Sequence, residues 1–354
     1  MRTVAFSKPP DASRTRIKQA GAVLAETSPH WLAHEYALLL ADQWRACHAY
    51  PINTFQATLR TRLAAYPGNP IVAQRLKRMP TIVDKLRRYP AMKLTTMQDI
   101  GGVRAILKSV DDVRRLSTAY VGSTRLTHEL LDRKDYIANP RSEDGYRSIH
   151  LIYRYRNKRA PEYDGLRIEM QIRTTIQHIW ATAVEAMGTF LGQALKSRQG
   201  DQEWLDFFAL VSSAFAIREG CASVPRFAHL SEKQTIDEIR QAERRLDALQ
   251  MMRGLTVAAN AIPTTGARTK GWSYHLIVLN SVEKTVQVRA YSRESFNLAL
   301  EDYSKYEGQA AKGKKIEPVL VSAGPLSRLR RAYPNFFLDV GVFARMVRVI
   351  CKDP

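Results

Sequence analysis

Cysteine is scarce. The 354 residues include three, Cys47, Cys221 and Cys351. They lie far apart with no C-x-x-C pair, which excludes a disulfide framework and a zinc-finger ligand set. Long apolar stretches are also missing. The start, MRTVAFSKPPDASRTRIKQAG, has no apolar core of signal-peptide length. No run of about 18 apolar residues occurs, so no membrane span or membrane partner is expected. The expected compartment is a reducing cytoplasm. Acidic residues are the third shortage: 34 Asp plus Glu stand against 54 Lys plus Arg, a net charge of +20. That balance points to polyanionic partners, namely nucleic acid, nucleotide phosphates or an acidic surface. Internal repeats and low-complexity tracts are absent too. What is present, 45% hydrophobic and 25% charged residues, is an ordinary globular composition, long enough for two domains.

Residues 12–65 read as helical, with Pro51 expected to divide the stretch in two. Pro67-Gly68-Asn69-Pro70 reads as a loop. In the basic stretch 70–90, Pro80 fits the first turn of a helix that runs through Arg88. VRAILK, after two glycines, reads as a strand. DDVRRLSTAYV reads as a helix with Asp111 or Asp112 as its N-cap. ANPRSEDGYRS is a polar loop between that helix and the strand IHLIYRY. RIEMQIR alternates cleanly, with Ile168, Met170 and Ile172 on one side and Arg167, Glu169, Gln171 and Arg173 on the other.

Helical spacing follows in TIQHIWATAVEAMGTFL. It recurs over 203–219, where Trp204, Phe207, Phe208, Val211 and Phe215 share a face. Residues 231–252 read as a charged connecting helix with Ile236, Ile239, Leu246 and Leu249 inward. NAIPTTGARTKG, residues 260–271, is a plausible boundary. Beyond it come a hairpin over 274–291, a helix opened by a Ser cap, the strand EPVLVS, a short basic helix and a last helix near 339–350. The implied division is 1–66 helical, 67–225 a mixed α/β unit, 226–264 connecting and 265–354 a second unit.

Charge concentrates in the middle. Residues 70–200 carry 24 Lys plus Arg and 13 Asp plus Glu, a net of +11. Three groupings there suit phosphate chemistry. RLKRMPTIVDKLRR supplies Arg75, Lys77, Lys85, Arg87 and Arg88. Lys85 and Arg88, three apart, share a helical face that suits a triphosphate, or simply solvent. QDIGGVR puts Asp99 and Arg104 around two glycines that allow close approach of backbone to a ligand. RIEMQIRT sets Glu169 and Gln171 between Arg167 and Arg173. Asp99 and Glu169 on separate strands suit one Mg²⁺ shared with substrate phosphates; two salt bridges to arginine are the alternative. Between the groupings, EDGYRSIH holds Tyr146 on a glycine loop, followed by Arg147 and His150. Its ring is a stacking platform for a base, or an ordinary loop tyrosine.

Taken in order, the stretches Arg75 to Arg88, Asp99 to Arg104, Tyr136 to His150, Glu169 to Thr174 and Trp180-Ala181 resemble the synthetase domain of the RelA/SpoT family of alarmone synthetases. The resemblance covers roughly residues 60–220. It implies an α/β (α+β) fold: a nucleotidyltransferase-like mixed sheet flanked by helices. It also implies pyrophosphate transfer from ATP to a ribose 3′-hydroxyl, with AMP leaving. Carried over by position, Arg75 and Arg104 sandwich the adenine, and Lys77, Lys85 and Arg88 grip the phosphates. Asp99 and Glu169 hold Mg²⁺, with Glu169 also helping to deprotonate the hydroxyl. Tyr146 stacks on the acceptor base. Arg147, His150, Gln171 and Arg173 line the pocket.

Two departures from the pattern bear on function. Glu185 stands where the family's W-A-x-x-x-H motif has histidine, and no His-Asp hydrolase domain is expected before the motifs. With the unit at 265–354, this arrangement is similar to the CapRel group of fused toxin–antitoxin synthetases. That likeness implies a bacterial or prophage-encoded toxin that pyrophosphorylates the CCA end of tRNA, with no DNA partner. Its C-terminal part, resembling a zinc finger without metal ligands, would restrain the toxin until a phage protein such as a capsid subunit engages it. Tyr303 and Tyr306, three apart on a predicted helix, would cover the ATP site in that scheme; packing on a small core is the alternative. A small alarmone synthetase making (p)ppGpp or (p)ppApp would use the same catalytic residues.

Overall fold

The computed structural model describes residues 6–124, 126–191, 201–253, 264–265, 273–280, 282–283, 285–292, 294–314, 316–323 and 340–352. In chain order they form α1 (Arg14–Ala25), α2 (Trp31–Ala46), α3 (Ala49–Leu63), β1 (Ile71–Leu76), α4 (Met79–Arg88), β2 (Gly101–Leu107), α5 (Val110–Val121), β3 (Glu129–Asp135), β4 (Ile149–Arg154) and β5 (Arg167–Thr174). Then come α6 (Thr175–Leu191), α7 (Gln202–Arg218), α8 (Glu232–Leu246), β6 (Thr264–Thr265), β7 (Ser273–Asn280), β8 (Thr285–Tyr291), α9 (Phe296–Ala311), β9 (Ile316–Ala323) and α10 (Gly341–Lys352). Among the described residues no helix is long and apolar enough to cross a membrane.

Local chemistry accounts for many helix starts. Ser13, Ser109, Asp201 and Ser231 each accept a hydrogen bond from the first turn of the helix that follows, satisfying N–H groups that lack a partner in the helix itself. At α5 the cap is Ser109. Asp111 and Asp112, the expected caps, instead sit in the first turn, where the helix dipole favours them. Ser295 precedes α9 without a side-chain cap bond. Pro51 does not divide the N-terminal stretch either. It occupies the first turn of α3, where a missing N–H costs nothing, and the stretch breaks into three helices, at Glu26–His30 and at Cys47–His48. The strands β1 and β3 were not expected: Gln74 and Arg75 in β1 and the charged run Asp132–Asp135 in β3 hide the apolar alternation.

All strands described belong to one mixed sheet in the order β3-β4-β5-β2-β1-β9-β7-β8-β6. β2 and β5 are parallel, while β1 is antiparallel to β2 and β4 to β5. The strands beyond residue 265 continue this sheet: β9 runs antiparallel to β1, pairing Gln74 with Ser322 and Arg75 with Val321. One face of the sheet is apolar. Val103, Met170, Leu151, Leu276 and Leu320 lie there in one core with Leu24, Trp44, Phe55, Leu116 and Phe296 from α1, α2, α3, α5 and α9. A second core joins α6, α7, α8 and α10, with Phe343 of α10 against Phe208 and Phe215 of α7. The short basic helix expected after EPVLVS and most of the expected boundary loop lie outside the described residues.

Candidate active site

Directly paired residues on neighbouring strands project the same way, and on the opposite face this gathers a polar patch over β4, β5, β2 and β1; over β9 and β7 that face is largely apolar, with Val321, Val319 and Ile277 buried. One row across it reads Ile152, Glu169, Gly102, Arg75, Val321. The next reads His150, Gln171, Arg104, Ala73. Strand pairing thus brings together six residues expected from separate motifs. The two glycines divide their work. A Cβ on Gly101 would lie 2.9 Å from Ile52, so this glycine lets α3 approach the core face. Only Gly102 lies on the polar face, between Glu169 and Arg75.

At one end of this face, Lys77 follows β1, Lys85 projects from α4, and both reach Asp99. The Nζ atoms donate to its two oxygens at 2.8 and 2.9 Å. Burial pushes the Asp99 carboxyl up, but the two ammonium groups outweigh it and hold the group well below the usual carboxylate range. Burial pulls Lys77 down in spite of Asp99, and Lys85 and Arg75 beside it add to that. The α4 face that carries Lys85 also carries Arg88, which pairs with Asp84 at 2.5 Å.

Glu169 is the centre of a second network. His150 Nδ1 lies 2.9 Å from its Oε1. Gln171 Nε2 donates to Oε2 at 2.8 Å, and Arg104 Nε donates to the Gln171 oxygen at 3.2 Å. The Tyr146 hydroxyl lies 2.8 Å from His150 Nε2. Burial raises the Glu169 carboxyl, yet His150 more than offsets this and the group is held below its ordinary value, although Asp99 is near enough to push it up. The same contacts raise His150 to about 9 against its burial. Burial raises Tyr146 and Glu169 adds to that, but His150 and Arg173 outweigh both and lower it to about 7. Arg173 itself is buried, beside His178; burial and the neighbouring Arg104 lower it to about 9. Glu185, in place of the family's histidine, faces both Arg173 and Arg78 electrostatically.

Two carboxylates within electrostatic reach of each other, each held ionised by cations, form a donor set that suits Mg²⁺ together with phosphate oxygens. The chemistry open to such a site is in-line phosphoryl transfer, which demands positioning and charge neutralisation above all.

Arg147 is a correction. It does not line the pocket. It is 2% exposed, with Nη1 donating to Glu219 at 2.6 Å and Nε to Ser212 at 3.2 Å. Glu219 also accepts from Thr174 and Gln177. Two residues before Arg147, Gly145 passes close over α7, with φ of 78° and its carbonyl accepting from Ser212. These contacts fasten the loop that presents Tyr146. The Tyr146 ring has the Arg141 guanidinium 4.5 Å from its centroid, and Arg141 is bound in turn by Asp144. Neither Glu219 nor Arg141 stands out in the sequence; Glu219 acts on Arg147 from 72 positions away, where no local spacing records it, while Arg141 acts within its own loop, on Asp144 and the Tyr146 ring. Gly145→Ala should cost about 2–5 kcal/mol, since a Cβ there would meet Ala209 Cα at 2.9 Å and φ would be strained. Chemical denaturation checks it, and a loss under 1 kcal/mol would refute the tight-packing account.

Tyr303 and Tyr306 part company. Tyr303 is fully buried, its ring 4.7 Å from the Arg45 guanidinium. Tyr306 lies by β8, its hydroxyl 3.4 Å from Gln287 and its ring 5.4 Å from Arg289. The pair is divided between the core and the outer part of the sheet, so it does not cover the nucleotide residues as a unit.

The polar face gathers lysines, arginines and two carboxylates on a mixed sheet, and the comparisons with known proteins give the family. Residues 74–190 match the region found in RelA/SpoT proteins. The GTP pyrophosphokinase YwaC of Bacillus subtilis is 32% identical over 180 residues, which are 49% of this chain and 79% of that protein. The chain belongs to the RelA/SpoT family. The GTP pyrophosphokinase YjbM of the same organism is 35% identical over 113 residues, 31% of this chain; the match spans about half, 52%, of that protein. Among solved structures, the small alarmone synthetase 1 of Bacillus subtilis is 24% identical with a TM-score of 0.42, over 53% of this chain and 93% of that one.

Proposed function

We propose that the protein is a pyrophosphokinase that transfers the β,γ-diphosphate of ATP to the 3′-hydroxyl of a guanosine nucleotide, forming (p)ppGpp. The observation that carries this is the pairing of Lys77 and Lys85 on Asp99, beside Glu169 on the same polar face. Triphosphate oxygens would take the two lysines, freeing Asp99 to join Glu169 around Mg²⁺. The metal, when bound, would supply neutralisation of phosphate charge. Arg75 and Arg104 flank the place for adenine, with Arg88 beside the phosphates. The acceptor base stacks on Tyr146, its ribose near Glu169, Gln171 and His150. The acceptor oxygen attacks the β-phosphorus, the bond from that phosphorus to the α-phosphate oxygen breaks, AMP leaves, and the hydroxyl proton passes to Glu169. The names of YwaC and YjbM support guanosine as the acceptor.

A second reading makes the tRNA 3′ end the acceptor, with residues 265–354 as a restraint released by a phage protein. The net charge of +20 favours it. One assay separates them. The full chain receives γ-labelled ATP and Mg²⁺ with GDP, GTP, AMP or deacylated tRNA in parallel. Label on GDP or GTP is the expected result. Label on tRNA alone would overturn the acceptor, and no label on any would overturn the activity.

A further inference from the structure

α4 carries Lys85 and Arg88, yet its own N-cap residue, Arg78, provides no side-chain cap. The cap comes from 228 residues downstream. Glu307 of α9 accepts the Met79 N–H on Oε1 at 2.8 Å. Its other oxygen accepts from Arg45 of α2 at 2.5 Å. Both partners are buried, Arg45 at 1% and Glu307 at 6% exposure. Asp42 pairs with Arg45 as well, and Ser304 of α9 donates to Asp42 at 3.1 Å. Two further contacts reach the same short stretch from the C-terminal region. Arg78 pairs with Glu317 of β9 at 3.0 Å, and β9 pairs with β1 at Gln74 and Arg75.

A carboxylate at a helix N-terminus satisfies an N–H that the helix leaves open and complements the dipole. A buried ion pair gains little stability over a well-packed apolar one, but breaking it by half is costly. Its geometric consequence is to fix α9 and α2 to one point, the start of α4.

We infer that Glu307 is a positioning residue of the nucleotide site: from the C-terminal region it caps α4 and so holds Lys85 and Arg88 where the ATP phosphates bind. The inference rests on the reading of α4 as the phosphate-binding helix. It gives the C-terminal region a supporting role at this site, so that loosening the contact weakens ATP binding.

Two double variants of the full chain separate cap from core. Arg45→Met with Glu307→Gln removes both charges and keeps an oxygen for the Met79 N–H. Arg45→Met with Glu307→Leu removes the charges and the acceptor. Calorimetry with α,β-methylene ATP and Mg²⁺, and separately with GDP, reads both sites. The Leu form should bind the ATP analogue about tenfold more weakly than the Gln form, the effect of one lost cap. GDP affinity should be the same in the two. Equal analogue affinity of the Gln and Leu forms, or tighter binding by both than by the unaltered chain, would overturn the inference alone. Failure of the unaltered chain to bind the analogue would overturn the reading of the site and this inference with it. Hydrogen exchange on the unaltered chain requires no variant to fold. Saturating analogue should slow exchange both in the first turn of α4 and at residues 303–307. Protection in α4 without any change at 303–307 would count against the coupling.

Discussion

Glu169→Gln should reduce pyrophosphate transfer by about 10³-fold or more while leaving the protein folded, because in the proposed reaction one change removes the base and half of the carboxylate pair that would hold Mg²⁺. The side chain stays the same size, and the amide oxygen can still accept from its neighbours. What is lost is the charge that His150 and Gln171 surround. Burial opposes that charge and His150 sustains it, so the arrangement keeps the carboxylate ionised within a partly enclosed site. The rate is measured with the acceptor that takes label in the parallel assay, and folding by circular dichroism and the unfolding midpoint. Transfer within threefold of the unaltered protein would refute the assignment of Glu169 to the chemistry.

The largest expected effect on stability lies at Arg147. Arg147→Met leaves Glu219 buried without its cation and should cost about 3–5 kcal/mol. Adding Glu219→Gln removes the stranded charge. The amide still offers an oxygen to Thr174 and Gln177, so the double variant should recover at least half of the loss. Denaturant unfolding of the two single variants and the double gives the coupling directly. Additive losses would mean that Arg147 and Glu219 do not act as a pair. Because this pair ties the Tyr146 loop to α7, the double variant should also bind the acceptor nucleotide more weakly than it binds ATP.

Much of the site was legible in the sequence. The alternation of RIEMQIRT placed Glu169 and Gln171 on a polar face, and β5 buries Ile168, Met170 and Ile172 as that pattern requires. The pattern failed at Arg173, which shares the polar register yet is buried, because the polar face is itself covered at that end of the strand. β1 was missed for a related reason. Its Arg75 and Gln74 interrupt the apolar alternation: one projects on the polar face beside Gly102 and the other lies buried on the core face. Arg147 showed the reverse error, a charged residue in a polar loop whose partner, Glu219, lies 72 positions away.

By itself the sequence determined the chemistry available: a basic middle, two carboxylates and a tyrosine on a glycine loop, in an order that resembles the RelA/SpoT synthetases; Glu169 is on a strand as expected, whereas Asp99 lies in the loop just before β2. Local periodicity and capping are written in neighbouring residues, so the main helices and the strand carrying Glu169 could be read directly. Only the tertiary structure decided which charges meet. Hydrogen-bonded register between distant strands put Arg75, Gly102 and Glu169 in one row, and the return of the chain set Glu307 on the start of α4. Such pairings depend on long-range closure of the fold, for which spacing along the chain carries no signal.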